Sequence, residues 1–218
     1  MNENIMKNGM PIVTLLLAGI PILGFMLGFM GMVPLPVYVF VPMIPMLLIF
    51  TVMTIKSRTK APDFSNKIIS SIWIGFLGTL ALDIFRIMSV KIGWLPMDVP
   101  LALGAKIVGM DPMKMDMEQG MMGPWLAGNI YHLLIGISFT LVYILLVGKG
   151  NIKLGILFGI LIWIGMMVLP PMPMMVGFFG MKTGGMGLAF GTLIAHIAFG
   201  LVVGLLAKRF VKSKGLLL

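Results

Sequence analysis

Long apolar stretches separated by short polar segments run through most of this sequence, and their lengths predict helices that cross a bilayer. One crossing takes about 20 predominantly apolar residues. By this measure we place spans at about 11–31, 36–55, 68–90, 124–147, 154–169 and 187–207. The pattern therefore predicts an all-α, polytopic transmembrane helix bundle with about six spans.

Prolines and polar segments divide this pattern further. We expect the second span to be kinked, because Pro42 and Pro45 lie inside it and a proline interrupts helical hydrogen bonding. A polar loop is predicted to reach Lys67, and a short interfacial helix is predicted at about 100–108. The chain then divides at its cytoplasmic loop. Residues 1–66 hold two N-terminal transmembrane helices and that loop, whereas 67–218 form a four-helix membrane unit with a Met-rich outer loop at about 92–123.

The distribution of charge predicts the orientation of the chain. With the N-terminus inside, eleven of the 16 basic residues fall on the cytoplasmic side. They are Lys7, Lys56, Arg58, Lys60, Lys67, Lys149, Lys153, Lys208, Arg209, Lys212 and Lys214. Cytoplasmic loops of membrane proteins carry an excess of Lys and Arg, so both termini are predicted to be cytoplasmic. This also accounts for the net charge of +9 without a nucleic-acid partner. We expect a multi-pass protein of the inner (cytoplasmic) membrane, with the lipid bilayer as its main partner.

Small and polar residues recur every fourth position in three spans, which places each set on one helix face. The sets are Ser71, Gly75, Thr79 and Asp83; Gly128, His132, Gly136 and Thr140; and Thr192, His196, Gly200 and Gly204. Small residues at this spacing let membrane helices approach closely. We therefore interpret the glycines and threonines of these sets as helix-packing residues. The pairs Gly24/Gly28 and Gly155/Gly159 repeat the pattern, and all these faces are expected to meet in one bundle.

The same faces carry an intramembrane polar cluster of Asp83, His132 and His196, with Arg86 beside it. At 1.5 Å per residue, Asp83 and His132 lie roughly 24 Å from the inner boundary and His196 roughly 18 Å. Ionisable groups at such depth are candidates for function. Two interpretations of Asp83 stay open: an ion pair with Arg86, three residues away, or a functional carboxylate. Each histidine could serve as neutral interhelical glue, as a proton relay, or as a metal or haem ligand.

Methionine is unusually frequent, with 24 residues and two clusters on the predicted outer side. Thioether and imidazole ligands suit Cu(I). A candidate copper site would draw on Met113, Met115, Met117, Met172, Met174, Met175, His132 and His196. Packing and lipid contact explain the methionines equally well, since methionine replaces leucine flexibly. Haem is the less favoured cofactor, because no attachment motif accompanies the two histidines.

Motifs that would indicate an enzyme are absent from the sequence. There is no cysteine, no phosphate-binding loop, no GxSxG, no HExxH and no dinucleotide fingerprint. Most loops are also too short to hold a soluble catalytic centre. We therefore expect a non-enzymatic protein.

Four segments carry a resemblance to known proteins. They read GFLGTLALD from Gly75, HLLIGISFTLVY from His132, MMVLPPMPMMVGFFG from Met166 and GTLIAHIAFGLVVG from Gly191. Over about residues 69–207 the chain is similar to an uncharacterised family of small bacterial and archaeal membrane proteins. The resemblance implies a four-helix unit with a histidine in two of its helices, and it implies no activity. The two N-terminal spans and the long outer loop are additions to the family pattern.

The leading functional hypothesis is an accessory or structural subunit of a larger membrane complex, with protein partners or copies of itself. It rests on the glycine-rich faces, the missing catalytic motifs and the added surfaces. The alternatives are soft-metal handling, in which Cu(I) passes from the methionine clusters to the histidines, and a small proton-coupled transporter. The transporter would use Asp83, His132 and His196.

Overall fold

The computed structural model describes residues 10–112, 121–183 and 185–217, and the regular elements in these ranges are helices. The main helices are α1 (Met10–Phe29), α2 (Leu35–Tyr38), α3 (Ile44–Lys60), α4 (Pro62–Lys91), α5 (Val99–Ile107), α6 (Met122–Val147), α7 (Ile152–Val168), α8 (Met172–Val176) and α9 (Gly185–Phe210). A π-helical turn, Val39–Met43, joins α2 to α3, and a 3-10 turn, Phe178–Gly180, follows α8.

The lengths of these helices confirm an all-α polytopic bundle. Among the described residues, five helices are long and apolar enough to cross a membrane, with α2, the π-helical turn and α3 forming one of them, Leu35–Lys60. The helix α7 and the segment Met172–Gly180, bent by 56° relative to each other, make a sixth candidate. The cytoplasmic location of both termini stays a prediction, and the inner and outer ends of the bundle are named according to it.

One local feature differs from the sequence prediction. The predicted polar loop before Lys67 is wrong, since α4 already begins at Pro62. Proline fits the first turn of a helix, where its missing N–H costs nothing, and Asp63 beside it favours the positive end of the helix dipole. In the second span, Pro42 lies in the π-helical turn Val39–Met43, so the proline is accommodated by a wider turn within the span.

The helices pack around α4, which contacts α6 on one side and α9 on another. The helix α7 packs on α9, whereas α1 and α5 pack on α6, and α3 completes the contacts of α4. The short helix predicted at 100–108 is thus α5, and it buries Leu103 and its neighbours against α6. Within the described ranges, a cavity remains between α6 and the α7–α9 pair.

Glycines make the closest of these contacts. A Cβ added at Gly155 would lie 2.5 Å from the Cα of Gly204, and one at Gly75 would lie 2.7 Å from the Cα of Ile137. The remaining packing residues meet within the chain as well: Gly136 faces Thr79, Gly128 faces α5, and Gly200 faces α7. Thr79 and Thr140 donate their hydroxyl hydrogens to carbonyls of their own helices. The small-residue faces therefore hold α4, α6, α7 and α9 together inside one chain.

The helix α1 is hydrogen-bonded to one tyrosine of α2 and one tyrosine of α6. The hydroxyl of Tyr38 donates to the Ile20 carbonyl at 2.9 Å, and the hydroxyl of Tyr131 donates to the Pro21 carbonyl at 3.0 Å. Both rings lie against Gly24, where a Cβ would overlap them. This contact fixes the outer half of α1 beside α6.

Candidate functional site: a lipid-side cavity with a polar wall

Arg86 of α4 is the centre of a buried charge network at the outer end of the bundle. Its Nε donates to Asp83 Oδ1 at 2.8 Å, its Nη1 donates to Asp98 Oδ1, and its Nη2 donates to Asn129 Oδ1 at 3.3 Å. The arginine side chain is only 7% exposed. One cation thus connects α4, the segment before α5, and α6.

Local sequence explains how each partner reaches Arg86. Asp83 is three residues earlier on the same helix, a spacing at which side chains meet. Asp98 occupies the position before α5 where a side chain often caps the helix, yet it makes no capping hydrogen bond, so its carboxylate is free to bind Arg86. Asn129 precedes His132 by three residues on α6, and its amide also donates to the Trp125 carbonyl at 2.7 Å.

His132 lies at the edge of this network. Its Nδ1 is 3.2 Å from Asp83 Oδ1 but outside hydrogen-bond geometry, and this buried nitrogen has no other partner among the described residues. In this network one arginine is paired with two aspartates. The structure thus brings together Asp83, Arg86 and His132 of the predicted cluster.

His196 of α9 is held separately from the network. Its Nδ1 lies 2.7 Å from the Thr192 carbonyl, which can only accept, so Nδ1 carries the proton and Nε2 keeps a lone pair. No hydrogen bond to Nε2 is found within the described part of the chain. The Thr192 hydroxyl accepts from Trp163 Nε1 at 3.0 Å and donates to the Leu188 carbonyl at 2.7 Å, which ties α7 to α9.

A cavity of about 450 Å³ lies between α6 and the α7–α9 pair, and both histidines line it. Arg86, His132, Thr192 and His196 are its polar residues, and the rest of the lining described is apolar. Toward the inner side, Phe139 lines the cavity and lies 6.4 Å from Phe158, ring centre to ring centre, which joins α6 to α7 there. Toward the outer side, α5 and the Met/Pro turn after α7 cover it.

The sides of the cavity are formed by α1 and α7. Residues such as Phe25 of α1 and Leu161 of α7 line it, yet these two helices make no substantial contact with each other in the described ranges. Leu161 is 56% exposed, so this side chain faces both the cavity and the surroundings of the bundle. The gap between α1 and α7 is therefore an apolar opening at the side of the bundle.

The candidate copper ligands separate into three groups. Met172 and Met175 line the cavity together with His132 and His196, whereas Met174 is 64% exposed. The other candidates, Met113, Met115 and Met117, lie outside the described residues. Among the residues described, no group of three or more His, Cys, Asp or Glu side chains is placed to hold a metal ion. A copper site built from thioethers and imidazoles stays a prediction.

Sequence reasoning missed three parts of this site. Asp98 was not singled out, although its place directly before a predicted helix was a signal. Asn129 could have been found from its helical spacing to His132. Gly165 lines the cavity, and a Cβ at this position would meet nothing within 4 Å. No sequence pattern marks such a glycine, because it contributes empty space and makes no contact there.

The sequence model of a family of unknown function (DUF6789) matches residues 65–216. This range contains α6 to α9, nearly all of α4, and every charged or imidazole group of the site. The match confirms the resemblance inferred from the four sequence segments. No curated protein and no solved structure gives a significant match to the chain.

Proposed function

The chain belongs to this family of unknown function, and we propose that it is a non-enzymatic protein of the cytoplasmic membrane that binds a small, mostly apolar molecule. The binding site is the outer-half cavity between α6 and the α7–α9 pair. Its volume of about 450 Å³ lies within the range of about 300–1,000 Å³ typical of small-molecule pockets. Its lining has the usual composition as well, namely an apolar wall with a few polar groups.

The volume itself is the observation that carries the proposal. Unfilled apolar space is unfavourable, because the atoms that line it lose their packing contacts. A cavity of about 450 Å³ with an open apolar side is therefore expected to hold an occupant. An occupant restores these contacts, and the apolar gap between α1 and α7 admits one from the bilayer.

The role of accessory subunit stays a prediction. The glycine faces that suggested lateral partners are used between helices of this chain, so they no longer support it. What supports it is the exposed apolar surface of the added helices, such as Leu48 and Val52 of α3, which lipid would also cover. Stoichiometric co-purification of another subunit from native membranes would support the role, and a monomer without partners would end it.

Cu(I) handling and proton-coupled transport also stay predictions. The first is supported by Met172 and Met175 beside the two histidines, and the second by the 3.2 Å approach of His132 Nδ1 to Asp83. The ion pair of Asp83 with Arg86 favours a structural role for that carboxylate over a transported proton.

Gly165 offers a direct test of the cavity. A Cβ at this position meets nothing within 4 Å, so Gly165→Leu fills space in the cavity without displacing a helix. We expect native mass spectrometry of protein purified in mild detergent to show a bound small molecule or lipid on the wild type. Gly165→Leu should lower its occupancy at least tenfold, with the thermal unfolding midpoint unchanged or raised.

Gly165→Ala is the matched control, because it adds one methyl group and leaves most of the cavity open. It should keep the adduct. Equal occupancy in all three proteins, or a wild type without any adduct, would refute binding in this cavity.

A further inference from the structure

The polar atoms that line the cavity differ in whether they already make hydrogen bonds within the protein. The Thr192 hydroxyl both accepts and donates within the protein, as described above. Arg86 uses three of its five N–H groups on Asp83, Asp98 and Asn129. His196 uses Nδ1, and its Nε2 has no partner in the described ranges. The wall therefore presents one acceptor whose role the protein fixes, Nε2 of His196, together with the imidazole of His132, whose Nδ1 has no partner in the described ranges, and the remaining N–H groups of Arg86.

The tautomer of His196 determines which polar group of a ligand can hydrogen-bond to Nε2. Because Nδ1–H is held by a carbonyl of the same helix, Nε2 can only accept a hydrogen bond while the ring is neutral. His196 is buried, at 9% exposure, and an unpaired charge there is costly, which favours the neutral ring. A ligand that places a polar group here must donate a proton to gain a hydrogen bond.

The charge network restricts the ligand further. Two carboxylates, Asp83 and Asp98, already pair with Arg86 and compensate its charge. An anionic head, such as a carboxylate or a phosphate, would therefore find no uncompensated cation among the described residues that line the cavity. A neutral head that both donates and accepts suits the wall best, since the unused N–H groups of Arg86 are available to its acceptor side.

We propose that the cavity selects apolar molecules with a hydroxyl head, whose O–H donates to Nε2 of His196. The ligand class is therefore long-chain or polycyclic alcohols, and the apolar part lies in the cavity and extends through the gap between α1 and α7. This inference rests on the proposed binding function and specifies the ligand of the same cavity. An ether of the same shape would leave Nε2 unpaired, which makes binding weaker.

The test uses three probes that share one chain length: 1-dodecanol, dodecyl methyl ether and dodecanoate. Each is added at the same mole fraction to delipidated full-length protein in detergent, and native mass spectrometry gives the occupancy. We expect wild-type protein to bind the alcohol about tenfold better than the ether, and the carboxylate more weakly than the alcohol. In His196→Phe, a ring of similar size without nitrogen, the ether should bind at least as well as the alcohol.

The outcomes separate this inference from the binding function. If wild type binds alcohol and ether equally and Gly165→Leu binds neither, the cavity is a binding site but the hydroxyl selection is overturned. If Gly165→Leu binds all probes like wild type, binding in the cavity itself is overturned. Should His196→Phe fail to fold, the alcohol-to-ether ratio of the wild type still decides, since a ratio near one contradicts the selection.

Discussion

Replacing Arg86 with methionine should lower the free energy of unfolding by about 3–5 kcal/mol, the usual cost of removing one partner from a buried ion pair. The substitution keeps a long apolar stem but leaves Asp83 and Asp98 without their cation. Their side chains are only 18% and 21% exposed, so water compensates little of the lost pairing. Reversible unfolding in detergent, followed by the tryptophan signal, measures the difference.

Two further variants identify the cause of this loss. Arg58→Met removes an exposed arginine at the inner end of α3 and should change stability by less than about 0.5 kcal/mol. Adding Asp83→Asn and Asp98→Asn to Arg86→Met removes the uncompensated charges and should recover most of the stability. A triple variant as unstable as Arg86→Met would show that packing of the arginine, and not its charge, stabilises the outer end.

The second large effect is expected at the contact between α7 and α9. Gly155→Ala should destabilise the protein by about 3 kcal/mol, the upper part of the range for overpacked cores. The added methyl group would lie 2.5 Å from the Cα and 2.7 Å from the backbone N of Gly204, and backbone atoms cannot rotate away as a side chain can. The two helices would have to separate along their inner halves.

The control for this effect lies on the same helix. Gly165→Ala meets nothing within 4 Å and should be neutral or stabilising, because alanine favours a helix over glycine by about 1 kcal/mol. Both variants are compared by thermal unfolding in one detergent. Equal midpoints for the two alanine variants would mean that the close approach of α7 and α9 does not contribute to stability.

These two effects explain how the cavity persists. The glycine contacts close the bundle along the inner halves of α7 and α9, whereas the Arg86 network connects α4, α6 and the segment before α5 at the outer end. The outer half between α6 and α7 is thereby bounded without being filled. The cavity is a consequence of where the chain packs tightly and where it does not.

Much of this fold is predictable from periodicity and local spacing. Apolar runs located the spans, the interval of four located the small residues that pack, and the interval of three located the pair of Asp83 and Arg86. The start of α4 at Pro62 was missed because the polar residues after it resembled a loop, although a proline followed by an acidic residue is a signal for a helix start.

The site depends on contacts between distant segments and was less predictable. Asp98 and Asn129 join Arg86 only when α5 and α6 have packed beside α4, which no local pattern encodes. The cavity depends on a separation between helices that are not adjacent in the packing. The sequence placed both histidines at similar depth, but it did not place them on the wall of one cavity.

The most direct test of the central claim is an experimental density map of the protein purified with its native lipids, inspected inside the cavity. Our account predicts continuous density for a small apolar molecule between α6 and α7, with its polar end next to His196 and its tail in the gap between α1 and α7. A cavity closed by the protein's own side chains, or one that holds only water, would contradict it.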